Sequence, residues 1–356
     1  MTDRRRISWA RATMAAGVAA LALAVSSVPA GACGGLVGEN GTIQLVRTTT
    51  LAAYHAGVER YVTSFEFTGA GKEVGSIVPL PAIPTSVERG GDWTLQRLVR
   101  EVAPPVAEDR VFAASSAAGS PAEVILETKI DALDITVIKG GGDAVGKWAL
   151  DHGFFLSPDA PEVLDFYASR SPIFMAARFD ASRAAALGQQ SGDGTPIMVT
   201  MPTDRPWVPL RILGLGAKPA QVIEADVFLL TDTEPKLLAG GRGLTVDRNE
   251  AASPSLLSDL RTDTGMGWVP SSMWFTHLPL QAAAADLDYD LAISVAPHAL
   301  PRLTDAGISS PAAVVPQPTD GRGSAWWPWA AGIIAAVLAF AGLRGVVRWG
   351  TAGSGA

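Results

Sequence analysis

Cys33 is the one cysteine in 356 residues, and its position gives it two kinds of chemistry. It follows Ala30-Gly31-Ala32, a small-residue run of the type at which exported chains are cleaved. A cysteine left at the first mature position is also where bacterial lipoproteins receive lipid on sulfur, so Cys33 is a candidate lipidation site as well as a candidate free thiol. Ala30 stands where such a lipid box favours a large aliphatic residue, which leaves both readings open. A single cysteine rules out an intramolecular disulfide, so the core must hold the fold unaided.

Other residues have the types for chemistry but not the spacing. Gly140-x-Gly142 sits between an expected strand and an expected helix, yet Gly146 falls one place too late for a dinucleotide fingerprint, and Asp143 makes the run a strand-to-helix turn. Gly69-Ala70-Gly71-Lys72 lacks the length and following hydroxyl of a phosphate loop. Asp286, Asp288 and Asp290 alternate with Leu287, Tyr289 and Leu291, which predicts an amphipathic edge strand with three carboxylates on one face. A calcium loop would want glycine where Leu291 stands. His55, His152, His277 and His298 are too scattered for zinc, and His152 reads as a helix C-terminal cap. There is no Gly-x-Ser-x-Gly elbow. No catalytic, cofactor-binding or metal-ligating set emerges, and no cofactor is expected.

The elements that would carry these residues read as mostly strand. Alternating or continuous apolar runs predict strands at 42–46, 61–67, 122–128, 133–139, 173–179, 197–201, 208–213, 221–231, 273–280 and 287–295. The prolines at 79, 81 and 84 predict that 75–84 lies on a sheet edge or as extended loop. Helices are expected after Asp92 as cap, with Leu95, Leu98, Val99 and Val102 on one face, then at 143–152, 161–168 and, behind Ser253, 254–260. The fold class is α+β, β-rich with mixed or antiparallel sheet, over 33–298, with a candidate lobe boundary in the Ala-, Ser- and Pro-rich stretch 104–121.

The two ends read as export and anchoring. Arg4, Arg5, Arg6 and Arg11 precede an apolar run from Met14 to Val25, the order of a signal peptide over 1–32. A Pro-, Ser- and Gly-rich linker over 299–324 leads to the uncharged run 325–343, long enough for a transmembrane helix. Trp326, Trp327 and Trp329 flank its outer end, and Arg344 and Arg348 open a cytoplasmic tail at 344–356. Without the flanking arginines and Asp3, 22 basic residues face 34 acidic ones, a balance that excludes nucleic acid as a partner.

Three stretches carry a resemblance: Cys33-Gly34-Gly35-Leu36, then Gly75-Ser76-Ile77-Val78-Pro79-Leu80-Pro81 with Pro84, then Trp148-Ala149-Leu150-Asp151-His152-Gly153-Phe154 through Leu164, Phe166 and Tyr167. In this order they resemble the bacterial family called domain of unknown function 2330. The resemblance implies an envelope location and supplies no catalytic residues. The expectation is a single-pass cell-membrane protein with its main domain outside the cytoplasm, binding an unknown envelope protein or ligand. The alternative is an envelope hydrolase whose site is assembled from distant residues.

Overall fold

Ile223, Ala225, Val227 and Leu229 alternate with Phe228 and Leu230, so the strand they share is apolar on both faces and needs cover on both. It is the middle of a layered structure. The computed structural model describes residues 35–38, 44–45, 48–64, 67–68, 73–103, 123–188, 195–239, 242–296 and 299–308. Cys33, the signal-like 1–32, the run 325–343 and the tail lie outside the described residues. Among the described residues no helix is long and apolar enough to cross a membrane.

In chain order the first strands are β1 (Gly35–Gly38), β2 (Gln44–Leu45), β3 (Thr48–His55), β4 (Val58–Thr63), β5 (Phe67–Thr68), β6 (Glu73–Pro79) and β7 (Ser86–Arg89), followed by α1 (Thr94–Val102). Then come β8 (Glu123–Ile130), β9 (Leu133–Lys139), α2 (Gly142–Asp151), α3 (Ala160–Ala168), β10 (Ile173–Asp180) and α4 (Ala181–Leu187). The rest is β11 (Ile197–Pro202), β12 (Trp207–Val208), β13 (Val222–Thr231), β14 (Lys236–Leu238), β15 (Arg248–Ala251), α5 (Pro254–Thr262), β16 (Trp274–Ala283) and β17 (Leu291–Ser294). Short 3-10 turns cover Arg211–Gly214 and Ala284–Asp286.

The largest sheet runs β15-β16-β13-β3-β4-β11-β7, and only its β13–β3 pair is parallel. A five-stranded antiparallel sheet runs β1-β6-β10-β9-β8, beside a three-stranded one, β12-β17-β14, and the pair β2-β5. The β-rich, mixed and antiparallel class expected from sequence is what forms. Both large sheets take strands from either side of 104–121.

One face of the seven-stranded sheet is covered by α1 and α5, with Leu95, Leu98, Leu256, Leu257 and Leu260 against Leu51, Ala53, Phe228 and Leu230. The other face gives Ala52, Tyr61, Val199 and Val227 to a larger core shared with the five-stranded sheet, α2 and α3.

Several expectations need correction. β6 is not an edge: it pairs with β1 on one side and β10 on the other. Pro79 is its last residue and Pro81 lies beyond it, so the missing N–H groups interrupt no ladder. The 208–213 strand stops at Val208, after which Pro209 breaks the pairing and the chain enters a 3-10 turn. The three aspartates share no strand face, because β17 begins only at Leu291.

Helix α1 forms as expected but is capped differently. Its N-terminal residue Trp93 offers no side-chain acceptor, which would leave early N–H groups without partners. Asp263, at the C-terminal end of α5, supplies the acceptor from 170 residues away: its carboxylate takes the N–H of Asp92 (2.9 Å), the N–H of Trp93 (3.0 Å), the hydroxyl of Thr94 (2.7 Å) and the N–H of Thr264 (2.8 Å). Burial alone would raise the Asp263 pKa, but these four donors outweigh it and hold it below the usual carboxylate value. Its stabilisation is therefore complete above the unfolded-state value and is lost as pH falls through the lower folded one. Asp263→Ala is expected to cost about 3 kcal/mol at neutral pH and to flatten the acid limb of stability, read from urea midpoints. An unchanged acid limb would remove Asp263 as the α1 cap.

Candidate functional site

The aspartate placed last in the alternating run is the hub of the site. Asp290 is 0 % exposed, and its Oδ1 accepts the Tyr167 hydroxyl (2.8 Å) and the backbone N–H groups of Leu210 (2.7 Å) and Arg211 (3.1 Å). Its Oδ2 accepts Nη2 of Arg170. The Tyr167 oxygen in turn accepts the Ile212 N–H at 2.9 Å. These acceptors satisfy three consecutive N–H groups, which is why 210–214 closes as a 3-10 turn instead of continuing as strand. Burial, then the neighbouring Asp290 carboxylate, pushes the Tyr167 hydroxyl well above its ordinary pKa, so it stays a donor throughout the physiological range.

The rest of the hub is aromatic. The Arg170 guanidinium lies 4.3 Å from the Phe166 ring centroid, 5.0 Å from Tyr167 and 4.9 Å from Trp207. These rings take the flat faces of a cation whose edge is bonded to Asp290. Its Nη1 reaches onward to the Asp305 carbonyl at 2.8 Å.

In front of this scaffold lies a cleft of about 510 Å3. One wall is the start of α3 with Pro158, Asp159, Glu162 and Val163, the floor is Arg211 and Gly214, and the far wall is Ala284, Ala285, Leu287 and Asp288. Gly216, at φ 72°, lets the loop pass beside Ser157 while its N–H bonds the Asp159 carboxylate at 3.0 Å. Arg211 is bonded to Glu162 and also lies 4.3 Å over the Phe166 ring. Asp288 is exposed and has no hydrogen-bond or ion-pair partner among the described residues. Three carboxylates thus face one guanidinium between walls of Val163, Leu287, Pro219 and alanine. Lys218 is on the same loop but does not line the cleft. Such an arrangement favours a positively charged group carried on an apolar body.

The other sequence candidates stay apart. His152 caps α2, with Nδ1 2.6 Å from the Trp148 carbonyl and its ring stacked on Trp148. Burial lowers its pKa, with Arg178 adding to the effect against the pull of the Trp148 carbonyl. His55 binds Asp232 at the β3–β4 turn, and His277 stands between Asp226 (3.1 Å) and Asp247 (2.9 Å). His298 and the Gly69–Lys72 segment lie outside the described residues. Gly140 and Gly141 form the turn into α2 as expected. Among the described residues no three potential ligands gather as a metal group. Glu162, Arg211 and Arg170 went unnoticed in the sequence, and Asp290, noticed only as one of three alternating aspartates, gave no sign of its partner because 120 residues separate it from Arg170.

Residues 27–234 match the family described as an uncharacterized protein conserved in bacteria, DUF2330. The chain belongs to the DUF2330 family. The match takes in α3, Arg170 and Arg211, so this DUF2330 chain completes its cleft with Ala284, Ala285, Leu287 and Asp288, beyond the matched segment. No curated protein matches it. Among solved structures, a mutated baculovirus P35 after caspase cleavage aligns with the DUF2330 chain at 9 % identity and TM-score 0.36, over 69 % of this chain and 99 % of that one. Baculovirus P35 itself aligns at 8 % and 0.36, over 71 % and 96 %, and P35 in its caspase-8 complex at 9 % and 0.32, over 69 % and 89 %.

Proposed function

We propose that this DUF2330 protein is a membrane-anchored binding protein of the bacterial cell envelope, and that its cleft receives a basic side chain of an envelope partner. The observation that carries the binding reading is the cleft itself, where Asp159, Glu162 and Asp288 outnumber Arg211 beside apolar walls. The anchored, extracytoplasmic placement is supported by the signal-like start, the uncharged run 325–343 and the acidic balance between them.

L-arginine amide is the simplest probe of that chemistry. Calorimetry on the full-length chain in detergent is expected to show saturable binding that weakens with salt, and Asp288→Lys is expected to weaken it about tenfold. Equal binding by wild type and Asp288→Lys, or none by either, would discard the cation reading.

A further inference from the structure

We propose that the cleft and the C-terminal strap, residues 299–308, form one coupled unit, in which a cationic group that takes Glu162 from Arg211 also loosens the strap. This rests on the cation-binding reading of the cleft.

Besides the ion pair of Asp305 with Arg205 at 3.6 Å, the strap is held at three points, by Arg170, Asp290 and Phe166, and Asp290 and Phe166 also contact Arg211 of the cleft. The Asp305 carbonyl accepts Arg170 Nη1 at 2.8 Å. The Ala306 carbonyl accepts the N–H of Asp290 at 2.9 Å, and Ala306 is fully buried. Gly307, at φ 70°, lies so close to Phe166 that a Cβ there would overlap the ring.

From the cleft side, Arg211 uses the same ring and the same carboxylate: its guanidinium lies 4.3 Å over Phe166 and its backbone N–H bonds Asp290 at 3.1 Å. Phe166 thus has Arg211, Arg170 and Gly307 against it at once. A ring so surrounded cannot move without disturbing all three, because close-packed groups shift together. What pins Arg211 is Glu162, whose side chain is 78 % exposed while that of Arg211 is only 17 % exposed. Glu162 is therefore the member that an incoming cation meets first. Once its partner is taken, Arg211 is free to leave the ring and the strap loses one side of its seat. By linkage, loosening the strap must strengthen cation binding by the same factor. The sequence runs on from Ile308 to the apolar run 325–343, so occupancy of the cleft would be felt where the folded domain hands over to the candidate anchor.

Hydrogen exchange of the full-length chain in detergent tests this at the amides of Ala306, Gly307 and Ile308, which bond the carbonyls of Leu303 and Thr304. Glu162→Gln removes the ion pair while leaving packing intact, and it is expected to speed exchange at these amides about two- to fivefold, the span set by a partly exposed ion pair. L-arginine amide at saturation is expected to do the same in wild type. Lys147→Gln, which breaks an exposed ion pair with Asp151 on α2, is expected to leave the strap unchanged. Unchanged strap exchange in Glu162→Gln overturns the coupling whether or not the amide binds. Binding of the amide without any change in the strap overturns it too and leaves the cleft reading standing, whereas failure of the amide to bind counts against the cleft reading alone.

Discussion

Glu59→Gln is expected to stabilise the protein, by an amount that grows as pH rises. Glu59 sits in β4, between β3 and β11, with Tyr54 and Met201 as its cross-strand partners. It is 0 % exposed, and neither carboxyl oxygen has a hydrogen-bond partner among the described residues. Burial pushes its pKa well above the ordinary glutamate value, so the folded chain keeps the proton that the unfolded chain releases at about pH 4.3. The contribution of Glu59 to the stability of the wild type is then greatest below that pH and falls by about 1.4 kcal/mol per pH unit until the folded value is reached. Gln carries no such proton, and the slope belongs to Glu59 alone in the difference between the two proteins. Denaturant midpoints of both at a series of pH values from about 4 to 8 measure it. Parallel curves would mean that Glu59 is solvated or paired in the folded state.

Asp290→Ala is expected to have the opposite effect. Removing the carboxylate leaves the Arg170 guanidinium, whose side chain is 12 % exposed, without its counter-charge, together with the Tyr167 hydroxyl and two backbone N–H groups without acceptors. Breaking a buried pair on one side costs about 3–5 kcal/mol. Replacing both partners, Arg170→Met with Asp290→Leu, is expected to recover part of that loss, because an apolar pair carries no unpaired charge. Urea unfolding of the two singles and the double gives the coupling directly, and strictly additive losses would show that the pair is incidental to the fold.

The legible part of this fold was its locally patterned part. The runs behind β8, β9, β10, β11 and β13 are apolar or alternate cleanly, and α2, α3 and α5 carry caps and stops in their own sequence, Ser253 and Gly153 among them. β3 escaped notice because Leu51 and Ala53 face one core while Ala52 faces the other, so the run Thr-Thr-Thr-Leu-Ala-Ala-Tyr-His has no polar side to betray a period. The α1 cap was misassigned to Asp92 because its acceptor lies in another helix. The same holds for the site. Asp286, Asp288 and Asp290 drew attention as a set, yet they play three different parts: Asp286 binds Arg242 at 3.0 Å, Asp288 faces the cleft, and Asp290 is buried under it. Alternation in sequence equates residues that tertiary contacts separate.

The parallel pairing of β3 with β13 sets an order of events for a newly made chain. Register puts Thr48 opposite Ala225 and Tyr54 opposite Thr231. A chain that emerges amino end first can zip β3 onto β4 within moments through their short turn, but the opposite rim of β3 stays open until well over half of the polypeptide has appeared. Through that interval a bare apolar ribbon with unspent donors and acceptors is on offer to any other ribbon in reach. Whatever receives the nascent chain must shield that rim until β13 arrives.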